Sequence, residues 1–265
     1  MPTRLDYVSG ASILPPDHKF KISPSAINKF FAKPHEWFRS EVLGEDTFLG
    51  NTASVLGTIV HFCAEEYSKT EKVDVAEIEK YIASIDNPDV DVQYISEQWK
   101  PMGQALIDYL RTSGLPQRSE ELIHYEVQPG YFVAGSADAV AGDCLVDYKT
   151  TSQLNPPTEI PPYYRYQLLT YAYIYNKMDI PINRIRIVWI TNNVVGRISE
   201  KTGKPMKDYP ATVGVCTETI TNDDLDFIES ILKLICETVE TYYDNPNLAY
   251  LLFRDYRLKK EQHGS

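Results

Sequence analysis

Asp138, Asp147 and Lys149 fall within a dozen residues of one another in GSADAVAGDCLVDYKTT (residues 135–151), among valines, alanines and a leucine. Burying charge in such surroundings is costly unless the charge is paired or coordinates a metal. Two carboxylates on neighbouring strands, about 5 Å apart across an antiparallel pair, repel unless a cation lies between them. A lysine two positions after Asp147 shares its face of the strand and can meet an anion held by that cation. Few oxygen donors completed by water suit Mg²⁺ or Mn²⁺. Taken alone, the same residues also describe a solvent-facing turn with an ordinary salt bridge. A second Asp-x-Lys triplet, Asp17 to Lys19, sits in a proline-flanked loop.

Two other segments carry candidate donors. His61 lies in LGTIVHFCAEEY, with Gly57 one turn before it and Glu65 one turn after it on the same helix face. Gln167 and Tyr171 stand four apart in YQLLTYAY, on one face of a tyrosine-rich helix. A helix histidine and an aromatic packing helix are equally ordinary structural features.

The elements that must position these residues follow from periodicity and punctuation. Residues 22–45 predict a helix starting at Ser23 or Ser25 and interrupted near Pro34. Residues 52–69 predict a second helix with Val55, Ile59, Phe62 and Cys63 inward. Two more helices follow, the latter bent or started at Pro101. Residues 121–151 change to short runs of β-formers punctuated at Pro129-Gly130 and Gly142-Asp143, which predicts three antiparallel strands. A proline-rich loop, a helix over 163–178, strands over 183–193 and 211–220, and a long amphipathic helix from Thr221 complete the order. This is a mixed α/β core.

The chain has 265 residues, enough for one large domain. The expected organisation is a lead-in over 1–20 and a single domain over 21–265. Its core spans about 50–195, with a helical insertion at about 70–120 and a C-terminal helix at about 221–244. With 43% hydrophobic and 24% charged residues the composition is globular. No apolar run approaches the roughly 20 residues of a membrane span. The first twenty residues lack a signal-peptide pattern, so a cytoplasmic setting is expected. Cys63, Cys144, Cys216 and Cys236 form no C-x-x-C pair and read as buried thiols.

In order, ISPSAINKFFAKPHEWF, GTIVH, GSADAV, VDYKTT and YQLLTYAY make the chain resemble the RecB-like and phage-type exonucleases of the PD-(D/E)XK superfamily, over roughly residues 20–195. No one motif is specific; the order of five is. The resemblance implies a restriction-endonuclease-like core, a central mixed sheet flanked by helices with helical additions at both ends. It implies a metal site of His61, Asp138 and Asp147 with the Tyr148 carbonyl, Lys149 as the catalytic lysine, and Gln167 and Tyr171 positioning DNA and that lysine. It further implies a DNA substrate, cleaved with Mg²⁺ or Mn²⁺ in the bacterial or host cytoplasm during recombination, repair or phage DNA metabolism. A single-strand annealing or recombination protein as partner, and a homo-oligomer, go with that setting. Glu65, and more weakly Glu126, are expected to support the metal site from behind. Some relatives hold an iron–sulfur cluster through a cysteine before the early proline. Here Lys33 precedes Pro34 and the C-terminal region has only Cys216 and Cys236, so no cluster is expected.

A formal charge of −11 argues against nonspecific DNA binding by the whole surface. Local cations are therefore the candidates for holding DNA: Arg165, the loop residues Arg197, Lys201, Lys204 and Lys207, and the C-terminal FRDYRLKK. Other readings of the residues are a structure- or sequence-specific endonuclease, a non-catalytic DNA-binding module, and a metal-binding protein without a nucleic-acid substrate.

Overall fold

The computed structural model describes residues 13–45, 50–196, 198–199, 202–205 and 207–245. Strand β1 (Phe20–Ile22) is followed by a 3-10 turn and two short helices, α1 (Ile27–Ala32) and α2 (Pro34–Trp37), broken at Lys33 ahead of Pro34. Helix α3 (Thr52–Thr70) begins with a reciprocal cap, in which Asn51 and Ser54 each accept the other's backbone N–H. Helices α4 (Val75–Ala83) and α5 (Val92–Ser113) follow. Strands β2 (Arg118–Gln128), β3 (Tyr131–Ala141) and β4 (Cys144–Thr151) form the meander. Helix α6 (Pro162–Lys177), strands β5 (Arg184–Thr191) and β6 (Val213–Thr219), and helix α7 (Asn222–Asp244) close the order. The fold is thus the expected mixed α/β class.

Two local expectations change. Residues 20–22, where the expected lead-in gives way to the first helix, form β1 instead and pair in parallel with Tyr131–Val133 of β3. Pro101 lies inside an uninterrupted α5. Proline removes one intrahelical bond, but Ile95, Trp99, Met102, Leu106 and Leu110 bury that helix along one side and keep it continuous through the defect.

The sheet is mixed. β2 runs antiparallel along one edge of β3 for its whole length, so β1 and β4 share the other edge. β1 covers the start of β3, while β4 covers only Ala139 to Ala141. Beyond that point β4 leaves β3 and continues in parallel with β5, which pairs antiparallel with β6.

Helices cover both faces. On one side α6, α7 and the N-terminal helices pack on Val133, Ala137, Leu145, Ile187 and Trp189. On the other, α3, α4 and α5 pack on Ala139, Val146, Tyr148, Val188 and Ile190. Odd-numbered residues of β4 therefore face α6 and even-numbered ones face α3.

Candidate active site

The regular alternation of β3 slips at Asp138. Val133 and Ala137 pack with the α6 side, Ala139 packs with the α3 side, and Val140 returns to the α6 side. Strict period-two alternation would put Ala139 with Ala137. Opposite Asp138 in the β2 register stands Glu120, held at φ +49°, a left-handed conformation uncommon for a residue with a side chain. Both strands are thus irregular at one level, the kind of defect that re-aims side chains next to functional sites.

This is also where β3 and β4 part. The Asp138 carboxylate spans the gap and its Oδ2 accepts the backbone N–H of Tyr148 at 2.8 Å. From α3, His61 reaches the same place. Its Nε2 donates to the Tyr148 carbonyl at 2.5 Å, and its Nδ1 lies 3.4 Å from Asp138 Oδ2 and 4.0 Å from Glu120 Oε1. With a carbonyl on one side and carboxylates on the other, both ring nitrogens carry hydrogen. Burial opposes that charge, and the Asp138 carboxylate outweighs it, so the imidazole is raised to about 9. Burial works against the Asp138 charge as well, but His61, Lys149 and the Tyr148 N–H together hold Asp138 down at about 2. Glu120 is pushed up to about 7 by burial and by the Asp138 charge.

On the α6 face of β4, Asp147 and Lys149 form a buried ion pair. The Lys149 ammonium donates to Asp147 Oδ1 at 2.8 Å and lies 2.7 Å from Oδ2. Burial raises Asp147 to about 6 against the pull of Lys149. Burial also opposes the lysine's charge, yet Asp147 and Asp138 hold its pKa above the ordinary value. Lys149 in turn lies 5.1 Å above the ring of Tyr164, on the first turn of α6.

The structure places the remaining candidates unevenly. Glu65 lies on α3 near Glu120 and pairs with Lys69. Glu126 is six residues along β2 from Glu120, about 20 Å away in an extended strand, and its Oε1 accepts the Gly130 N–H in the β2–β3 turn. Tyr171 is buried against β3, where a Cβ on Gly135 would meet its hydroxyl at 2.9 Å. Gln167 lies one turn before it and is partly buried. Gly57 brings α3 past β4 with ordinary clearance, since an added methyl there would sit 3.7 Å from Thr150. Arg165 donates to Glu218 and to Asp224, both at 2.9 Å, so its charge is already matched. Lys204 and Lys207 are exposed on a hairpin bridged at Val194–Tyr209 and Ile198–Pro205. Arg197, Lys201 and the FRDYRLKK segment lie outside the described residues.

Glu120 is the residue that sequence reasoning missed. The strand was expected to begin at Glu121, and nothing in SEEL separates the two glutamates except the register that sets Glu120 opposite Asp138.

His61, Glu120 and Asp138 bring ligand atoms within 4.8 Å of one another. An imidazole and two carboxylates, with the buried carboxylate of Asp147 near enough to feel the Asp138 charge, are a donor set that fits a divalent cation. Coordination through either nitrogen of His61 requires that nitrogen to give up its proton.

Comparison with known proteins bears on the fold and the family. A candidate exonuclease from Eubacterium rectale has the same fold at a TM-score of 0.53 and 12% identity, covering 91% of this chain and 86% of that one. A phage-related exonuclease from Haemophilus somnus 129PT matches at a TM-score of 0.40 and 13% identity, over 86% of this chain and 94% of its own. The alkaline exonuclease LHK-Exo from Laribacter hongkongensis, also solved in complex with dAMP, matches at 0.38 and 13%, over 75% and 98%. No curated protein sequence matches the chain. The profile of the PD-(D/E)XK nuclease superfamily matches residues 21–242, and with most of its length so matched the chain belongs to that superfamily.

Proposed function

We propose that the chain is a Mg²⁺- or Mn²⁺-dependent deoxyribonuclease that hydrolyses phosphodiester bonds from DNA ends. The observation that carries this reading is the meeting of Asp138, His61 and Glu120 where β3 and β4 part, with the Asp147–Lys149 pair beside them. His61, Glu120, Asp138 and Asp147, with the Tyr148 carbonyl, would hold the cation. Once bound, a divalent cation polarises a phosphate oxygen and lowers the pKa of a bound water.

The protein's own groups have distinct tasks. Lys149 is kept protonated by two carboxylates, so it offers fixed positive charge to the oxygen on which negative charge grows. Asp147 fixes the lysine's direction through its Oδ1. Tyr148 uses its backbone N–H and carbonyl to tie Asp138 and His61 to one strand. Tyr171 packs α6 against β3, Gln167 one turn before it would help position DNA and the lysine, and Glu65 lies behind Glu120. Recombination, repair or phage DNA metabolism, with an annealing protein as partner, is the setting this activity suits.

End-labelled linear duplex, single-stranded DNA and covalently closed circular DNA, digested with Mg²⁺, Mn²⁺ or EDTA, test the reading. Progressive release of mononucleotides from linear DNA only, abolished by EDTA, is expected. Nicking of closed circles at the same rate would replace the exonuclease by an endonuclease, and no cleavage with either metal would overturn both.

A further inference from the structure

A row of aromatic rings leads away from Lys149 over the surface at the start of α6. Tyr164 lies beneath the lysine ammonium, and the ring of Tyr163 lies against it, centroids 4.2 Å apart and planes tilted by 48°. Tyr163 and Tyr166, three positions apart, share a face of α6. Tyr166 is flanked by Phe31 of α1 at 6.1 Å and Phe227 of α7 at 6.3 Å, each tilted by 37°. Three of these five rings are about half exposed: Phe31 at 47%, Tyr163 at 47% and Phe227 at 49%. Half-exposed aromatic groups from three separate helices, two flanking Tyr166 and the third on its face of α6, call for a ligand.

We infer that this row is a stacking platform for unpaired nucleobases, so that the favoured substrate end is single-stranded. The inference rests on the nuclease reading of the site. Three observations select nucleobases. The Tyr164–Tyr163 end of the row adjoins the lysine assigned to the phosphate, with Tyr164 between that ammonium and the open ring of Tyr163. The groups are rings rather than aliphatic side chains, and every base presents a π-face to a ring regardless of sequence. The neighbouring Arg165, which could have gripped phosphates, is spent on Glu218 and Asp224. A chain of formal charge −11 gains little from backbone electrostatics, and stacking supplies affinity that salt does not screen. Bases paired in a duplex keep their faces buried against one another, so only an unpaired stretch can use the row.

The test uses the full chain with Ca²⁺ in place of Mg²⁺ and two fluorescent strands of equal length, oligo-dT and an abasic backbone. Wild-type protein should bind oligo-dT at least about tenfold more tightly, since each stacked base adds roughly a factor of ten. The advantage should persist as salt is raised. Tyr163→Ala with Phe227→Ala should remove most of it and leave affinity for the abasic strand unchanged. Both side chains are half exposed, and unchanged thermal melting confirms that the variant is folded. Equal affinity of the wild type for the two strands overturns the inference, as does full retention of the dT advantage by the double variant. Light scattering that shows a dimer in the wild type and a monomer in the variant, with no change in dT binding, also overturns it and assigns the row to self-association. Parallel digests in Mn²⁺ keep the two readings apart. Cleavage with no dT advantage defeats the platform alone, whereas a dT advantage without cleavage defeats the nuclease reading alone.

Discussion

Tyr148 is bound at both of its backbone polar atoms by site residues: its N–H goes to Asp138 Oδ2 at 2.8 Å and its carbonyl receives His61 Nε2 at 2.5 Å. Asp138 is consequently a structural as well as a chemical group. It replaces the ladder bond that β3 would otherwise make to β4 where the strands part.

That double role separates two substitutions. Asp138→Asn keeps an oxygen for the Tyr148 N–H, while Asp138→Ala leaves this buried donor unpaired, at a cost of about 1–3 kcal/mol. Both should lower cleavage by roughly a hundredfold or more through loss of a charged ligand. Urea melts beside activity assays check the split. Equal stability of the two variants would show that the Tyr148 bond contributes nothing.

Lys149→Ala should lower the rate by roughly 10² to 10⁴. It should also destabilise the fold by roughly 3–5 kcal/mol, because Asp147 is left buried without its partner. Adding Asp147→Ala should recover much of the stability and none of the rate. A double-mutant cycle of denaturant midpoints measures the coupling.

Glu120→Gln should weaken Mn²⁺ binding by roughly 10- to 100-fold, as expected for a group at or directly behind the metal. Glu126→Gln, at the distant β2–β3 turn, should leave it unchanged. Isothermal titration of both variants discriminates, and a reversed ranking would move the site along β2.

Glu229 ties α6 to α7. Hydrogen bonds from Lys233 and Lys177 hold its carboxyl down at about 2, well below its ordinary 4.5. A depressed carboxyl pKa stabilises the fold above the unfolded-state value and is lost as pH falls through the folded value. The difference in Tm between wild type and Glu229→Gln should therefore be constant above about pH 5, shrink from about pH 4.5 downward and vanish near pH 2.

The hairpin and its charges were legible because turn glycines and period-two runs are local signals. Gly130 and Gly142 both adopt positive φ where the sequence marks turns. His61, Asp138, Asp147 and Lys149 were reached by spacing and resemblance, and the fold brings all four to the parting of β3 and β4. Glu120 was not legible, since its place depends on a left-handed backbone and on register with Asp138. Arg165 was read as a free cation because its partners, Glu218 and Asp224, lie more than fifty residues away in sequence. Pro101 reads as a possible helix start because local propensity does not know that five apolar side chains bury the helix on both sides of it.

The parallel pairing of β1 with β3 joins residues over a hundred positions apart, Phe20 with Tyr131 among them. A chain leaving the ribosome can build α3 to α5 as it emerges, yet the seat for β1 does not exist until β3 has followed. Until then Phe20, Phe30 and Trp37, which end in mutual edge contacts, have no sheet to cover. Such a distant closure is slow, and it leaves an apolar N-terminal segment exposed during synthesis, when chaperones or a wrong strand edge can take it. The slow closure is built into the site, because the interval between these two strands carries His61 and Glu120, which β3 must meet at Asp138.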